Sequence, residues 1–277
     1  MGKYRPGMTD FDKVTIITGG SRGIGAGCAR SFVRAGASVV IAARGQQEGE
    51  ALAQELSALG PGTCHYEPCD VTREHDLKRV VDRTLELHGR LDCLINNAGW
   101  HPDKRPIDGF SVEEFEQLLR LNLVSYFVAA KLALPHLRKT KGSIINMGSL
   151  VGSFGQEWSC TYVATKGAIA GFTKALAIDE ARHGVRVNAV LPGTIATPSA
   201  ERFIATNPDP EGYRAYLHSW QWMGRPGTLE EAGQTCLFLA SDGASFVTGM
   251  LLNLSGGAEL AYGVKKPRFA EWEGKPA

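Results

Sequence analysis

The sequence predicts a single-domain α/β protein built on a doubly wound parallel sheet, and three patterns carry that prediction. From residue 13 to about residue 254, short β-branched runs alternate with longer amphipathic ones, as successive strand–helix crossovers do. Several of the short runs are apolar without alternation, as strands are when helices cover both faces of the sheet. No composition shift, low-complexity tract or repeat divides the chain, so its length is read as one domain over 11–262 and a C-terminal tail over 263–277.

Strands are expected at 13–18 (KVTIIT), 38–43 (SVVIAA), 64–68 (CHYEP), 91–96 (LDCLIN), 142–147 (GSIINM), 185–191 (VRVNAVL) and 250–255 (MLLNLS). Helices fall between them at 24–35, 46–59, 73–88, 112–138, 162–183 and 229–240. Two segments break the rhythm. Residues 194–228, with Phe203, Tyr213, Tyr216, Trp220 and Trp222, form an insertion long enough to read as a substrate lid. Residues 256–277 carry Tyr262, Phe269 and Trp272 beyond the last strand, a segment that either frays or packs on a neighbouring subunit.

Charge excludes several classes of partner. Thirty Lys and Arg against 29 Asp and Glu, with no basic block, leave no electrostatic footprint for nucleic acid or an anionic membrane surface. The chain shows no apolar leader, no 18-residue apolar stretch and no C-terminal S-K-L, so a cytoplasmic location is expected. Six scattered cysteines without C-x-x-C spacing read as buried thiols of a reducing compartment. Seven histidines without ligand spacing predict no metal site.

The first strand runs into T-G-G-S-R-G-I-G, residues 18–25, and then into a helix. Gly19, Gly23 and Gly25 permit a tight turn and close backbone approach, and the helix N-terminus offers unpaired N–H groups to a pyrophosphate. Ser21, Arg22 and Ile24 complete this Rossmann-type cofactor turn. An NAD site places an acid at the end of the second strand, where this chain reads Ile41-Ala42-Ala43-Arg44. Arg44, helped by Ser21 and Arg22, would attract a 2′-phosphate, so NADP is favoured and NAD is the alternative. Arg44 also reads as a solvated surface residue.

Ser149 lies just past the fifth strand, and Tyr162 and Lys166 stand one helical turn apart. A nearby ammonium favours phenolate, which would make Tyr162 a general acid/base, while Ser149 could steady a carbonyl or alkoxide oxygen. These motifs, with N-N-A-G (96–99), Asn122 in L-R-L-N-L, Y-V-A-T-K (162–166) and L-P-G (191–193), stand in the order of the short-chain dehydrogenase/reductase family, which the chain resembles over about residues 11–262. The resemblance implies a catalytic tetrad of Asn122, Ser149, Tyr162 and Lys166, in which the asparagine helps hold a relay water. It implies that Asp70, with Val71 beside it, contacts the adenine. Asn97, Ala98 and Gly99 would border the adenine ribose, and Pro192, Gly193, Ile195 and Thr197 would close over the nicotinamide.

A closer resemblance, through R-L-D-C-L-I-N-N-A-G-W-H-P, S-L-V-G-S-F-G-Q and S-G-G-A-E-L-A-Y-G, is to the type 14 17β-hydroxysteroid dehydrogenases. It implies a homotetramer that oxidises a secondary alcohol, a steroid 17β-hydroxyl or a sugar such as L-fucose, with His101 and Gln156 lining the cavity and Tyr262 approaching a neighbour's pocket. Trp220 reads either as a substrate wall or as lid packing. The expected function is an NAD(P)-dependent interconversion of a secondary alcohol and a ketone, steroid first. A sugar or polyol dehydrogenase is the alternative, and a non-catalytic dinucleotide-binding protein the second.

Overall fold

The structure, a computed structural model, describes residues 11–260. Its elements run β1 (Val14–Thr18), α1 (Gly23–Ala35), β2 (Ser38–Ala43), α2 (Gln46–Leu59), β3 (Thr63–Pro68), α3 (Glu74–His88), β4 (Cys93–Asn96), α4 (Val112–Leu119), α5 (Ser125–Thr140), β5 (Ser143–Met147), α6 (Val151–Phe154), α7 (Cys160–Ala181), β6 (Arg186–Pro192), α8 (Pro198–Ala205), α9 (Pro210–His218), α10 (Leu229–Ala240) and β7 (Leu251–Leu254). All seven strands pair in parallel, in the order β3-β2-β1-β4-β5-β6-β7. The order reverses between β1 and β4. In open α/β sheets that reversal leaves a crevice at the carboxyl ends of the strands, where ligands bind.

Helices on both faces explain the unbroken apolar strands. Ile17, Val39, Ile41, Ile95 and Ile145 point into one core with Phe32 of α1 and Leu237 of α10. Their neighbours Ile16, Val40, Ala42, Leu94 and Ile144 point into a second core with Val80 of α3, Leu137 of α5 and Ala177 of α7. Each fully buried side chain of this size contributes about 1.5–3 kcal/mol, so both faces are committed.

The expected helix at 112–138 is two helices joined by a π-helical turn, Arg120–Val124, with Asn122 inside it. The apolar pattern runs on through the turn, so periodicity does not register the widening. Val112–Thr140 taken together is, among the described residues, the one helix long and apolar enough in composition to cross a membrane, an 18-residue window of it having a mean hydropathy of 1.3. Arg120, Asn122 and Lys131 interrupt its apolar run, and Ala129, Ala133 and Leu137 of that helix belong to the second core.

Residues 194–228 hold two helices. Thr197 caps α8, its Oγ1 accepting from Ala200 N at 3.1 Å, and Asp209 caps α9, its Oδ1 accepting from Gly212 N at 2.9 Å. Each helix has proline at its first position, so Thr-Pro and Asp-Pro were legible start signals. The segment's two ends are joined where Ala196 N donates to Gly227 O and Gly227 N to Thr194 O, both at 2.9 Å. Tyr262 and the tail 263–277 lie outside the described residues.

Two helical glycines should respond oppositely to alanine. A Cβ on Gly27 would sit 2.4 Å from Leu229 O, where α1 meets the start of α10, whereas one on Gly171 in α7 meets nothing within 4 Å. Urea unfolding should show Gly171→Ala gaining about 0.5–1 kcal/mol and Gly27→Ala losing about 1–3 kcal/mol. A Gly27→Ala protein as stable as the parent would contradict this packing.

Candidate active site

The crevice at the reversal is stitched by Thr18. Its buried Oγ1 accepts from Asn97 N at 2.9 Å and Ala98 N at 3.1 Å, and Asn97 Nδ2 donates to the carbonyls of Thr18 at 2.9 Å and Gly19 at 3.1 Å. The end of β1 and the loop after β4 are thereby fixed side by side. Gly19 and Gly23 adopt φ of 64° and 55°, the left-handed region that favours glycine. A Cβ on Gly19 would lie 2.9 Å from Ala98 Cα, whereas one on Gly23 would face Thr197 Cγ2 at 3.8 Å. The first turn of α1 has no acid and no side-chain cap. Open backbone on one side and uncapped N–H groups on the other fit a pyrophosphate.

At the adenosine end, Tyr66 OH of β3 donates to Ala43 O at 2.9 Å, holding the end of β2. Arg22 and Arg44 are exposed. Neither side chain has an ion pair or hydrogen bond among the described residues. Burial pushes the Asp70 carboxyl up, but hydrogen bonds from Thr72 Oγ1 at 2.7 Å and Thr72 N at 3.0 Å, with Arg44 and Arg73 nearby, bring it below the usual carboxylate range. Sequence reasoning missed Asp76, which positions this turn: its Oδ2 accepts from Asp70 N at 2.9 Å and its Oδ1 from Arg79 Nη1 at 3.0 Å. Asp76 is the third residue of α3, and that placement was its only signal.

At the chemical end Tyr162 and Ser149 are half-buried above a buried lysine. Lys166 is buried, and its Nζ donates to Met147 O at the end of β5 at 2.8 Å while standing 5.7 Å from the Tyr162 ring centroid. Burial pushes the Tyr162 phenol up to about 12, with a hydrogen bond to Ser149 acting in the opposite direction. Burial holds the Lys166 ammonium down to about 7. The expected lowering of the phenol by the lysine is therefore reversed in this structure. An amine that is half neutral at neutral pH exerts little pull, and burial penalises both charged forms.

Asn122 turns its amide inward from the π-helical turn. Oδ1 accepts from Trp100 N at 2.9 Å, and Nδ2 donates to Trp100 O at 3.0 Å and Thr165 Oγ1 at 3.1 Å. Thr165 Oγ1 in turn donates to Tyr162 O at 2.8 Å. A Cβ on Gly99 would lie 3.2 Å from Asn122 Oδ1 and 3.7 Å from Lys166 Nζ, so bare backbone borders the lysine. Thr165, absent from the sequence-derived site, links the asparagine to the tyrosine; its position between Tyr162 and Lys166 was the available signal.

His101 lies over the tyrosine, ring centroids 4.1 Å apart. His101 Nδ1 lies 2.6 Å from the Pro102 carbonyl and Nε2 lies 2.9 Å from Gln156 Oε1, so both ring nitrogens face oxygen atoms. The structure thus brings His101, Gln156, Tyr162 and Ser149 together. Trp220 instead packs edge-on against Tyr216 at 5.2 Å, with Lys104 Nζ 5.8 Å from its ring. Gly193 N donates to Leu254 O at 2.9 Å, and Leu150 N donates to Pro192 O at 3.0 Å, placing the 192–197 segment against the loop that carries Ser149.

Known proteins show the same construction. The model of the enoyl-(acyl carrier protein) reductase family, adh_short_C2, matches residues 19–259. The chain is 48% identical over 261 residues to the L-fucose dehydrogenase of Bos taurus, covering 94% of each chain. It is 50% identical over 253 residues to the L-fucose dehydrogenase of Mus musculus, covering 91% of this chain and 90% of that one. The solved structure of Cj0485 dehydrogenase superposes with a TM-score of 0.85 at 31% identity, covering 92% of this chain and 97% of its own. With the parallel sheet, the glycine turn and the tyrosine–lysine pair in place, this chain belongs to the short-chain dehydrogenase/reductase family and is an NAD(P)-dependent oxidoreductase.

Proposed function

We propose that the protein oxidises a hydroxyl of L-fucose or a closely similar sugar and favours NADP over NAD. The observation that carries the substrate is the near-complete coverage of L-fucose dehydrogenases at 48% and 50% identity. The hydrogen-bonded His101–Gln156 pair above Tyr162 supports it by supplying polar groups for a hydroxyl-rich ligand. A 17β-hydroxysteroid, expected first from sequence, ranks below. Its support in the sequence was a resemblance to 17β-hydroxysteroid dehydrogenases and the aromatic lid; the relatives reported above are L-fucose dehydrogenases, and in the lid Phe203, Tyr213, Tyr216 and Trp220 stack on one another at 6.0, 6.1 and 5.2 Å.

Bound nicotinamide dinucleotide supplies the hydride acceptor. Tyr162 takes the hydroxyl proton, Ser149 holds the oxygen, and Lys166, titrating near neutrality, takes up the proton that the phenol passes on. Asn122 and Thr165 hold the tyrosine's helix against the Trp100 backbone. At the other end, Arg44 beside Asp70, with Ala43 where an acid would repel a phosphate, supports 2′-phosphate recognition. Assembly as a homotetramer is part of the proposal, supported by the exposed Val124 and Phe127 of the α4–α5 region and Ile178 of α7.

Steady-state assays test the reading directly. L-fucose with NADP should be turned over and a 17β-hydroxysteroid should not; the opposite order would overturn the substrate. Tyr162→Phe should lose at least about 10²–10⁴-fold in kcat while nicotinamide fluorescence shows unchanged cofactor binding. For Arg44→Ala, the same fluorescence titration should give about 10–100-fold weaker NADPH binding with NADH binding unaltered. Equal loss for both nucleotides would remove the 2′-phosphate argument.

A further inference from the structure

The amino-terminal edge of the sheet, opposite the active site, holds a cavity of about 260 Å³. Lys13 precedes β1, Asp92 precedes β4, Lys141 precedes β5 and Arg186 opens β6, so four neighbouring strands deliver charge to one place. Arg90 and Asp242 complete the charged lining.

Two of the four cations are already matched. Arg90 grips the buried Asp92 through Nε at 2.9 Å and Nη2 at 2.6 Å, and Lys13 Nζ lies 2.8 Å from Asp242. The other two are not. Arg186 is partly buried and donates only to the carbonyls of Leu239 at 2.6 Å and Ser241 at 3.2 Å, with no carboxylate in pairing distance among the described residues. Burial weighs against its charge, as its lowered pKa shows. Lys141 has no side-chain hydrogen bond or ion pair among the described residues. It ends α5 at φ 52°, a place usually held by glycine or asparagine. Its stem packs 3.3 Å from the position of a Cβ on Gly184, which keeps it at the cavity rim.

We propose that this cavity binds a small dianion of the phosphate type between Lys141 and Arg186. The lining carries four cations against two carboxylates, a net charge of +2 that is equal and opposite to such an ion, although Asp242, paired with Lys13, also attracts Arg186 from beyond pairing distance. A partly buried guanidinium already engaged with carbonyls gains from a charge-assisted hydrogen bond at its free edge. The volume suits inorganic phosphate or a small phosphate ester and is below that of most pockets for larger organic ligands.

Thermal melting in inorganic phosphate, against chloride at equal ionic strength, tests the site in the full-length protein. A ligand bound only by the folded state should raise Tm by about 3–5 °C for each tenfold excess over its Kd. The rise should appear in the parent and in Arg44→Ala. It should vanish in Lys141→Gly and Lys141→Asn, whose Tm in chloride should equal or exceed the parent's because both residues suit the left-handed backbone. No phosphate-specific rise in the parent, or its loss in Arg44→Ala, would overturn the proposal. So would a rise retained by both Lys141 variants, which would place the phosphate at the glycine-rich turn or make it a general salt effect.

Discussion

The reversal of strand order between β1 and β4 is the constraint from which the site follows. A parallel sheet that changes direction of winding leaves two strand ends without a crossover between them. In this protein that gap is fixed by one hydroxyl: Thr18 Oγ1 takes the backbone N–H groups of Asn97 and Ala98, and Asn97 returns two bonds to the end of β1. Without that stitch the glycine turn and the Asn97–Gly99 strip would have no common reference. Arg44 at the end of β2, Ser149 after β5 and Thr197 after β6 are placed by the carboxyl edge of the same sheet, and α7 brings Tyr162 and Lys166 to it through the bond from Lys166 to Met147 O.

Burial of Lys166 then sets the chemistry. Lys166, under the end of β5 with its ammonium on Met147 O, meets no carboxylate partner among the described residues, so burial governs its charge. Its folded value of about 7 lies below the ordinary 10.5. Between those values the unfolded chain holds a proton that the folded chain has lost, so this residue makes stability rise with pH across that window. The fold therefore gives up stability at neutral pH to keep an exchangeable amine beside the tyrosine, a known pattern at functional sites.

Much of this was legible in the sequence. Unbroken apolar strands, the glycine turn, and the bounds 46–59 and 229–240 of two helices follow from local patterns that tertiary contacts do not override. Three kinds of feature were hidden. The π-helical turn around Asn122 leaves the apolar periodicity intact, so it has no local signature. Thr18, Thr165 and Asp76 read as an ordinary strand residue, a helix residue and a surface acid until distant backbone groups meet them. The charge order of Tyr162 and Lys166 came out opposite to expectation because an i,i+4 spacing specifies proximity, whereas burial, a property of the whole fold, decides which form survives.

The claim that burial at the carboxyl edge governs the reacting groups is tested most directly by titrating the lysine side-chain methylenes of the free protein by carbon-13 NMR, with Lys166→Met assigning the signal. A midpoint for Lys166 near 7 is the result this structure requires. A midpoint at the ordinary lysine value, near 10.5, would mean that the ammonium is solvated or paired, and would contradict the account of the site.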